Sequence, residues 1–384
     1  MFDHIVSFIR DQYATNDLIP LHSPVFDGRE RELILDTINS TFVSSVGRYV
    51  ELFERDTAAF CGSPRAVAVI NGTAALHISL LLAGVERGDL VVTQPLTFVA
   101  TCNAITYCGA SPVFIDVDRR TLGLSPAELD AWLTEHALVD DAGHCRTRDG
   151  HRRIRACVPM HTFGHPVALD ELVDVCARWR LVLIEDAAES LGSFYKGRHT
   201  GTFGRIGVLS FNGNKIITTG GGGIVLADDE LGRRAKHLTT TAKVPHSYEF
   251  FHDEVGYNYR MPNLNAALGC AQLEQLPVFL EAKRGLAQRY IDFFAGSALQ
   301  PIIEPENCHS NYWLNGVICE SLEHRDAMLK STNDAGVMTR PIWALMTRLP
   351  AFTKALRGSL DNAEWLEARV VNLPSSVAPL GRRK

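Results

Sequence analysis

The chain has 384 residues, with 38 Lys and Arg against 44 Asp and Glu, which gives a formal net charge of −6 when histidine is neutral. A hydrophobic share of 46% and a charged share of 21% are ordinary for a folded protein and exclude wholesale disorder. The acidic balance argues against a non-specific nucleic-acid binder, so we expect no nucleic-acid partner.

No segment of the sequence predicts contact with a membrane. The best apolar run, residues 74–85, contains His77 and Ser79 and is shorter than the ~20 residues that a bilayer requires. The amino terminus shows no basic start followed by an apolar stretch, so we expect no signal peptide. Nine cysteines without a Cys-x-x-Cys pair are typical of reduced thiols. The sequence therefore predicts a cytoplasmic protein without a disulfide framework.

In chain order, residues 1–30 are predicted to form an N-terminal arm. From about residue 48 to 230, short apolar runs alternate with helical patterns, which indicates a mostly parallel sheet covered by helices on both faces. The predicted strands are 66–70, 90–93, 111–115, 154–159, 180–184, 206–210 and 223–226, and the predicted helices among them are 73–83, 98–108, 125–136 and 169–178.

The remaining segments complete the predicted domain organisation. Residues 139–153 are polar and carry turn signals, so we expect an excursion or a hairpin outside the core. A long helical pattern over residues 265–294 leads into a segment of β-like pieces and helices. We therefore predict a large α/β domain over residues 31–265 and a smaller α+β domain over residues 266–384.

A turn at Asn71-Gly72-Thr73 follows the first apolar run. Gly72 permits a tight turn, and Thr73 opens a helix whose free N–H groups and dipole favour an anion. The pattern indicates a phosphate cradle, although the same residues also suit an ordinary helix cap.

Asp186 and Glu189 follow the predicted strand that ends at residue 184. A carboxylate at the carboxyl end of a buried strand needs a partner. Asp186 could cap the next helix, or it could pair with a protonated ring nitrogen of a cofactor.

Lys215 lies between two apolar runs, after an Asn212-Gly213-Asn214 turn and before four glycines at residues 220–223. Burial disfavours the charged form of a lysine, and the neutral amine is the form that makes a Schiff base. Most lysines instead extend to the surface, and the glycines could form only a flexible loop. The glycine fingerprints of dinucleotide and nucleotide sites are absent from the sequence, which disfavours a nucleotide-dependent oxidoreductase.

Phosphate turn, acid and lysine, in this order, are what pyridoxal 5′-phosphate (PLP) requires of a protein, so we predict PLP as the cofactor. His161 and His165 follow another apolar run. Because no acidic or thiol partner completes a set, we expect no metal. His161 is predicted to line the active site at the end of its strand.

The chain resembles the DegT-type sugar-nucleotide aminotransferase family, which has the PLP-dependent fold type I, from about residue 20 to 376. Within that family it is most similar to enzymes acting on UDP-linked 4-keto-6-deoxy-N-acetylhexosamines in bacillosamine- and legionaminic-type pathways. Two residues depart from common family patterns, since Gly221 stands where many members have Glu, and Glu189 where Gln or His is frequent. The family resemblance lies in residues 71–76, 95–98, 114–118, 185–192, 210–215, 256–261 and 266–269, and the narrower one in residues 185–196, 212–219 and 339–343.

The resemblance implies a role for each matching residue. Lys215 would form the Schiff base and move a proton during aminotransfer, and Asp186 would keep the ring nitrogen protonated. Phe98 would stack on the cofactor ring, unless it is a core aromatic. Asn258 would reach the phosphate in the neighbouring subunit, which implies a homodimer with shared active sites. The remaining cofactor contacts would be Gly72, Thr73, Ser210 and Glu189, and the candidates for the nucleotide-sugar pocket are His161, Arg260, Tyr312, Arg340 and Trp343.

The function that the resemblance implies is transfer of the amino group of L-glutamate to carbon 4 of a UDP-linked 4-keto-6-deoxy-N-acetylhexosamine. A PLP-dependent nucleotide-sugar dehydratase or deoxygenase is one alternative, which Lys215 disfavours because such relatives typically lack the lysine. A non-catalytic regulator on the PLP fold is another. Regulators of that kind usually carry a DNA-binding segment, and none is apparent here.

Overall fold

A computed structural model describes residues 2–377, so residues 378–384 of the predicted C-terminal domain lie outside the described residues. Two single 3-10 turns, Thr162–Gly164 and Met346–Arg348, lie between regular elements. The helices are α1 (Asp3–Tyr13), α2 (Glu30–Asn39), α3 (Arg48–Cys61), α4 (Gly72–Leu82), α5 (Val99–Tyr107), α6 (Pro126–His136), α7 (Leu169–Arg178), α8 (Asp229–Thr239), α9 (Asn263–Phe294), α10 (Leu322–Asp334) and α11 (Asp361–Glu367).

The strands range from two to five residues. In chain order they are β1 (Arg65–Val69), β2 (Leu90–Thr93), β3 (Ser111–Phe114), β4 (Ala137–Val139), β5 (Cys145–Thr147), β6 (Ile154–Val158), β7 (Val182–Asp186), β8 (Phe194–Tyr195), β9 (Arg198–His199), β10 (Ile206–Ser210), β11 (Gly223–Ala227), β12 (Lys243–Val244), β13 (Phe251–His252), β14 (Gln300–Pro301), β15 (Cys308–His309), β16 (Asn315–Ile318), β17 (Arg340–Pro341), β18 (Leu356–Arg357) and β19 (Val370–Leu373).

The central sheet has eight strands in the order β1-β11-β10-β7-β6-β2-β3-β18. Strands β10, β7, β6, β2, β3 and β18 pair in parallel, whereas β11 is antiparallel to both β1 and β10. The seven predicted strands correspond to β1, β2, β3, β6, β7, β10 and β11, each within two residues at either end. The predicted mostly parallel sheet is thereby confirmed.

Helices cover both faces of this sheet because successive strand residues point to opposite sides. Val91 of β2 belongs to a buried cluster with α4, α5 and α8, whereas its neighbours Leu90 and Val92 belong to a cluster with α6 and α7. Both faces are therefore apolar, and full burial of one such side chain stabilises the fold by about 1.5–3 kcal/mol. The predicted α/β sandwich is confirmed.

A second sheet, in the order β14-β16-β19-β17, is antiparallel and lies in the C-terminal part of the chain. In the predicted N-terminal arm, α1 has two fully buried residues, Ile5 and Ile9, which share one apolar cluster with Val317 and Val371 of this sheet. The N-terminal segment therefore packs on the C-terminal part of the molecule. The domain limits of 31–265 and 266–384 remain a prediction.

The predicted hairpin over residues 139–153 is the antiparallel pair β4–β5. The long helix predicted over 265–294 is α9, which begins two residues earlier. Among residues 2–377, no helix combines the length and the apolar character that a membrane crossing demands. Strands β7 and β10, which end at Asp186 and Ser210, present their carboxyl ends at one edge of the sheet, where open α/β sheets bind ligands.

Candidate active site

The amino end of α4 and the end of β10 form a narrow cradle. The side chain of Asn71 caps α4 by accepting a hydrogen bond from the amide of Ala74 at 2.8 Å. Within residues 2–377, the amides of Gly72 and Thr73 and the side-chain hydroxyls of Thr73 and Ser210 have no hydrogen-bond partner. A Cβ atom on Gly72 would lie 3.0 Å from Cβ of Ser210, so only glycine leaves this space open. Free amides and hydroxyls at a helix amino end suit a phosphate.

Asp186 ends β7 as a buried carboxylate. Its Oδ2 accepts a hydrogen bond from the hydroxyl of Thr101 at 2.7 Å, and its Oδ1 accepts one from the amide of Ala188 at 3.2 Å. Burial raises the pKa of Asp186, and the two hydrogen bonds offset part of that rise because they favour the ionised form. Asp186 is therefore a buried, hydrogen-bonded carboxyl group whose surroundings suit pairing with a cation.

Thr101 is a site residue that the sequence analysis did not identify. It lies in α5, which begins directly after Phe98, and its amide donates to the carbonyl of Phe98 at 3.3 Å. The spacing of three residues within one helical pattern is a signal that could have linked Thr101 to Phe98. Phe98 itself is 52% exposed, so its ring is available to stack on a ligand and is not a core aromatic.

Lys215 and Glu189 meet near the end of β7. The Lys215 Nζ lies 3.5 Å from Oε1 of Glu189, and the lysine side chain is 13% exposed. Burial raises the pKa of Glu189 to about 7, although the charge of Lys215 and the amide of Phe163 act in the opposite direction. A carboxyl group with such a pKa can carry a proton at neutral pH.

Phe163 adopts a left-handed backbone conformation, with φ of 58°, in the 3-10 turn that follows β6. Its amide donates to Oε2 of Glu189 at 2.9 Å, and its ring lies 5.3 Å from the ring of Trp343. Non-glycine residues with positive φ are strained and cluster at functional sites. The strained turn thus connects Trp343, a predicted pocket residue, to Glu189.

His161 is fully buried and both of its ring nitrogens are occupied. Nδ1 accepts from the amide of Val167 at 3.2 Å, which places the ring proton on Nε2, 3.1 Å from Oε2 of Glu185. Burial alone would raise the pKa of Glu185, but the hydrogen bonds from His161, Gly204 and Gly201 outweigh it and hold the pKa below its usual value. His161 thus has an acidic partner, Glu185, that the sequence analysis did not find. Its hydrogen bond to this residue of β7 and the one from Val167 leave neither ring nitrogen free for a substrate.

Three other pocket candidates have their own contacts within the chain. The hydroxyl of the buried Tyr312 accepts from the amide of Glu304 at 3.0 Å. The exposed Arg340 donates to Oδ1 of Asn333 at 3.0 Å. Arg260 pairs with Val69 at the end of β1, and its buried Nε has no hydrogen-bond partner within residues 2–377. Of the three, Arg260 has a buried donor without a partner among the described residues, which a ligand could use.

Asn258 is exposed and pairs through its backbone with Thr240, near the end of α8. Its side chain makes no hydrogen bond within the described part of the chain. The hairpin β12–β13 and the residues between it and Asn258 expose several large apolar side chains, which are Tyr248, Phe250, Phe251 and Val255. Asn258 therefore lies beside an apolar surface, which is typical of an interface between subunits.

One group of three potential metal ligands occurs within residues 2–377, formed by His237, Asp253 and Glu254. His237 Nε2 lies 2.7 Å from Oδ1 of Asp253, and Arg234 forms an ion pair with Glu254. Both carboxylates thus already have partners, and the group is formed by one residue of α8 and the two residues that follow β13.

The residues at the carboxyl edge fit PLP. Gly72, Thr73 and Ser210 offer donors of the kind that a phosphate accepts, Asp186 offers a buried carboxylate, and Lys215 offers an amine. Asp186 ends β7 and Ser210 ends β10, and these two strands are neighbours in the sheet. Phosphate, ring nitrogen and aldehyde each have a candidate partner in this arrangement.

A model of the DegT/DnrJ/EryC1/StrS aminotransferase family matches residues 24–379 of the chain. Among curated proteins, GDP-perosamine synthase of Escherichia coli O157:H7 is 35% identical over 358 residues, with 93% of each chain covered. GDP-perosamine synthase of Caulobacter vibrioides is likewise 35% identical, over 363 residues, with the same coverage. Among solved structures, the aminotransferase TlmJ of Streptoalloteichus hindustanus is 30% identical, with a TM-score of 0.83 and 93% of each chain covered.

Proposed function

Because the chain belongs to the DegT/DnrJ/EryC1/StrS aminotransferase family, we propose that it moves the amino group of L-glutamate to carbon 4 of a UDP-linked 4-keto-6-deoxy-N-acetylhexosamine. The family supplies the reaction class and the cofactor, PLP, whose protonated ring withdraws electrons from the α-carbon of the amino donor. The observation that carries the proposal is the placement of the Lys215 amine 3.5 Å from Glu189, beside the buried Asp186.

The proposal assigns a role to each residue at the carboxyl edge of the sheet. Lys215 would hold the cofactor through its amine, and the same amine would accept and return the proton that leaves the donor's α-carbon. Asp186 stabilises the positive charge at the ring nitrogen, since a buried carboxylate favours a cation within contact distance. Gly72, Thr73 and Ser210 would hold the phosphate and so orient the cofactor toward Lys215 and Asp186.

The choice of a UDP-linked sugar rests on the resemblance of residues 185–196, 212–219 and 339–343 to enzymes for N-acetylated hexosamines. The names of two relatives favour a GDP-linked sugar instead, and these relatives cover 93% of the chain. A GDP-linked 4-keto-6-deoxyhexose is therefore the second candidate acceptor. Both acceptors present the same ketone, so the difference lies in the base and in the substituent at carbon 2.

The test uses the purified enzyme with ¹⁵N-labelled L-glutamate and each keto sugar in turn. We expect ¹⁵N at carbon 4 of the UDP-linked sugar, with a kcat/KM at least tenfold above that for the GDP-linked sugar. The Lys215→Ala variant is the control and should form no labelled product. Preferential amination of the GDP-linked sugar would refute the proposed acceptor, and no amination of either sugar would refute the reaction.

The homodimer belongs to the same proposal, in which Asn258 completes the phosphate site of the partner subunit. The exposed, unbonded side chain of Asn258 beside an apolar surface supports this role. Mixing inactive Lys215→Ala subunits with Asn258→Ala subunits should then restore up to half of the activity per mixed dimer, because one of its two sites is intact. If each site used its own Asn258, mixing would restore no activity.

A further inference from the structure

The amine of Lys215 lies between two side chains. On one side is Oε1 of Glu189 at 3.5 Å, and on the other is the indole face of Trp313, whose ring centroid is 4.1 Å from Nζ. Glu189 and Trp313 are 3% and 4% exposed, so little water competes for the ammonium on these two sides. An ammonium over the face of a tryptophan is attracted by the negative centre of the ring, and the attraction grows when water is excluded.

The same indole also holds the turn that carries the lysine. Its Nε1 donates a hydrogen bond of 2.7 Å to the carbonyl of Asn214, the residue before Lys215. Trp313 therefore contacts both the backbone and the amine of one short segment, which fixes the base of the lysine and the place of its charged end.

The position of Trp313 is itself fixed relative to Glu189 by the fully buried Asn311. The side-chain oxygen of Asn311 accepts from the amide of Trp313 at 2.8 Å. Its nitrogen donates to the carbonyls of Glu189 and Leu191, each at 2.9 Å. One asparagine thus ties the carboxyl and the indole that flank Lys215 into one frame.

We propose that Trp313 is a positioning residue, whose indole face holds the Lys215 ammonium in the stages of turnover when the amine is not bonded to the cofactor. The inference rests on the proposed function of Lys215. A lysine that must leave the cofactor and return within each half-reaction has a flexible four-carbon stem. A fixed resting place limits the conformations it visits and keeps the amine within reach of the donor's α-carbon.

The test measures the reactivity of Lys215 in the apoprotein, with no cofactor present. Trinitrobenzenesulfonate modifies only a neutral amine, and mass spectrometry of the peptide that contains Lys215 gives its labelling rate. An ammonium held on the indole is protected, so we expect the rate to rise about threefold in Trp313→Phe and about tenfold in Trp313→Leu. Trp179→Leu removes an indole that is hydrogen-bonded to Asp130 elsewhere and is the matched control, with the wild-type rate.

Fluorinated tryptophan separates the electrostatic contact from core packing. Ring fluorination weakens the negative ring face and keeps both the shape of the side chain and the hydrogen bond of Nε1. Progressive replacement of the five tryptophans with monofluoro and difluoro analogues should raise the labelling rate stepwise in the wild type and leave it constant in Trp313→Phe. This series uses the native fold, so it remains decisive if Trp313→Leu does not fold.

Two results would overturn the proposal, namely a wild-type labelling rate in folded Trp313→Leu, or no response of the wild-type rate to fluorination. Failure of the proposed function is measured separately. Borohydride reduction of the PLP-loaded protein followed by peptide mapping shows which lysine binds the cofactor. Cofactor on a lysine other than Lys215 would refute the proposed function and leave the labelling result unchanged.

Discussion

Thr101→Val removes one hydroxyl and leaves the shape of the side chain nearly unchanged. The hydroxyl donates 2.7 Å to Oδ2 of Asp186, inside the protein. A hydrogen bond to a charged group is worth about 1.5–3 kcal/mol, and one pKa unit corresponds to about 1.4 kcal/mol. The variant should therefore raise the pKa of Asp186 further and weaken its pairing with a cationic ring nitrogen.

The assay titrates the apoprotein with PLP and measures binding by the quenching of tryptophan fluorescence. We expect Thr101→Val to bind PLP about 10- to 100-fold more weakly at neutral pH, in line with the lost interaction energy. The pH dependence of PLP affinity follows from the direction in which the pKa of Asp186 shifts. Because protonated Asp186 cannot pair with the ring cation, affinity falls as pH falls, and in the variant this fall begins at a higher pH.

Thr106→Val is the matched control, since Thr106 lies on the same helix and donates only to the carbonyl of Cys102, at 3.0 Å. It should bind PLP as the wild type does. An affinity and a pH profile of Thr101→Val that equal those of the wild type would refute the argument that Thr101 sets the charge of Asp186.

The remaining predictions concern Gly72 in the cradle, the exposed ring of Phe98 and the buried carboxyl group of Glu189. Gly72→Ala places a Cβ atom 3.0 Å from Ser210 in the proposed phosphate space and should weaken PLP binding at least tenfold, whereas Gly285→Ala, with only Arg289 nearby, should not. Phe98→Ala should change the free energy of unfolding by less than about 0.5 kcal/mol, because the ring is exposed, yet weaken PLP binding severalfold; loss of stability with unchanged binding would show a packing role. Because burial raises the pKa of Glu189 to about 7, its ionisation opposes folding, so the contribution of this residue to stability should fall as pH rises from about 4.5 to 7. Glu189→Gln should reduce this fall by up to about 3 kcal/mol in urea unfolding of the apoprotein, and parallel pH profiles of the two proteins would contradict this.

Seven of the eight strands of the central sheet could be predicted from the sequence because both faces of the sheet are buried there, so each of these strands is a nearly continuous apolar run. The eighth strand, β18, was not predicted, since it has only two residues and both are exposed. Helix α1 could not be assigned in this way. Its buried residues, Ile5 and Ile9, are few, and their partners in β16 and β19 lie more than 300 positions away. The packing of the N-terminal segment on the C-terminal sheet is a tertiary contact with no local signal.

The candidate site likewise contains residues that could be predicted from the sequence and residues that could not. Gly72, Asp186 and Lys215 follow strand ends, so topology alone brings them to one edge. Thr101 and Trp313 could not be found by that rule, because one lies inside a helix and the other precedes a strand of the C-terminal sheet. Their positions depend on how separate elements pack.

The central claim, a PLP aminotransferase that acts through Lys215, is tested most directly by the visible spectrum of the PLP-loaded protein before and after addition of L-glutamate alone. We expect a yellow protein whose absorption band bleaches with glutamate, and a Lys215→Ala variant that lacks this band. A protein that stays colourless with added PLP, or a yellow protein whose spectrum glutamate does not change, would contradict it.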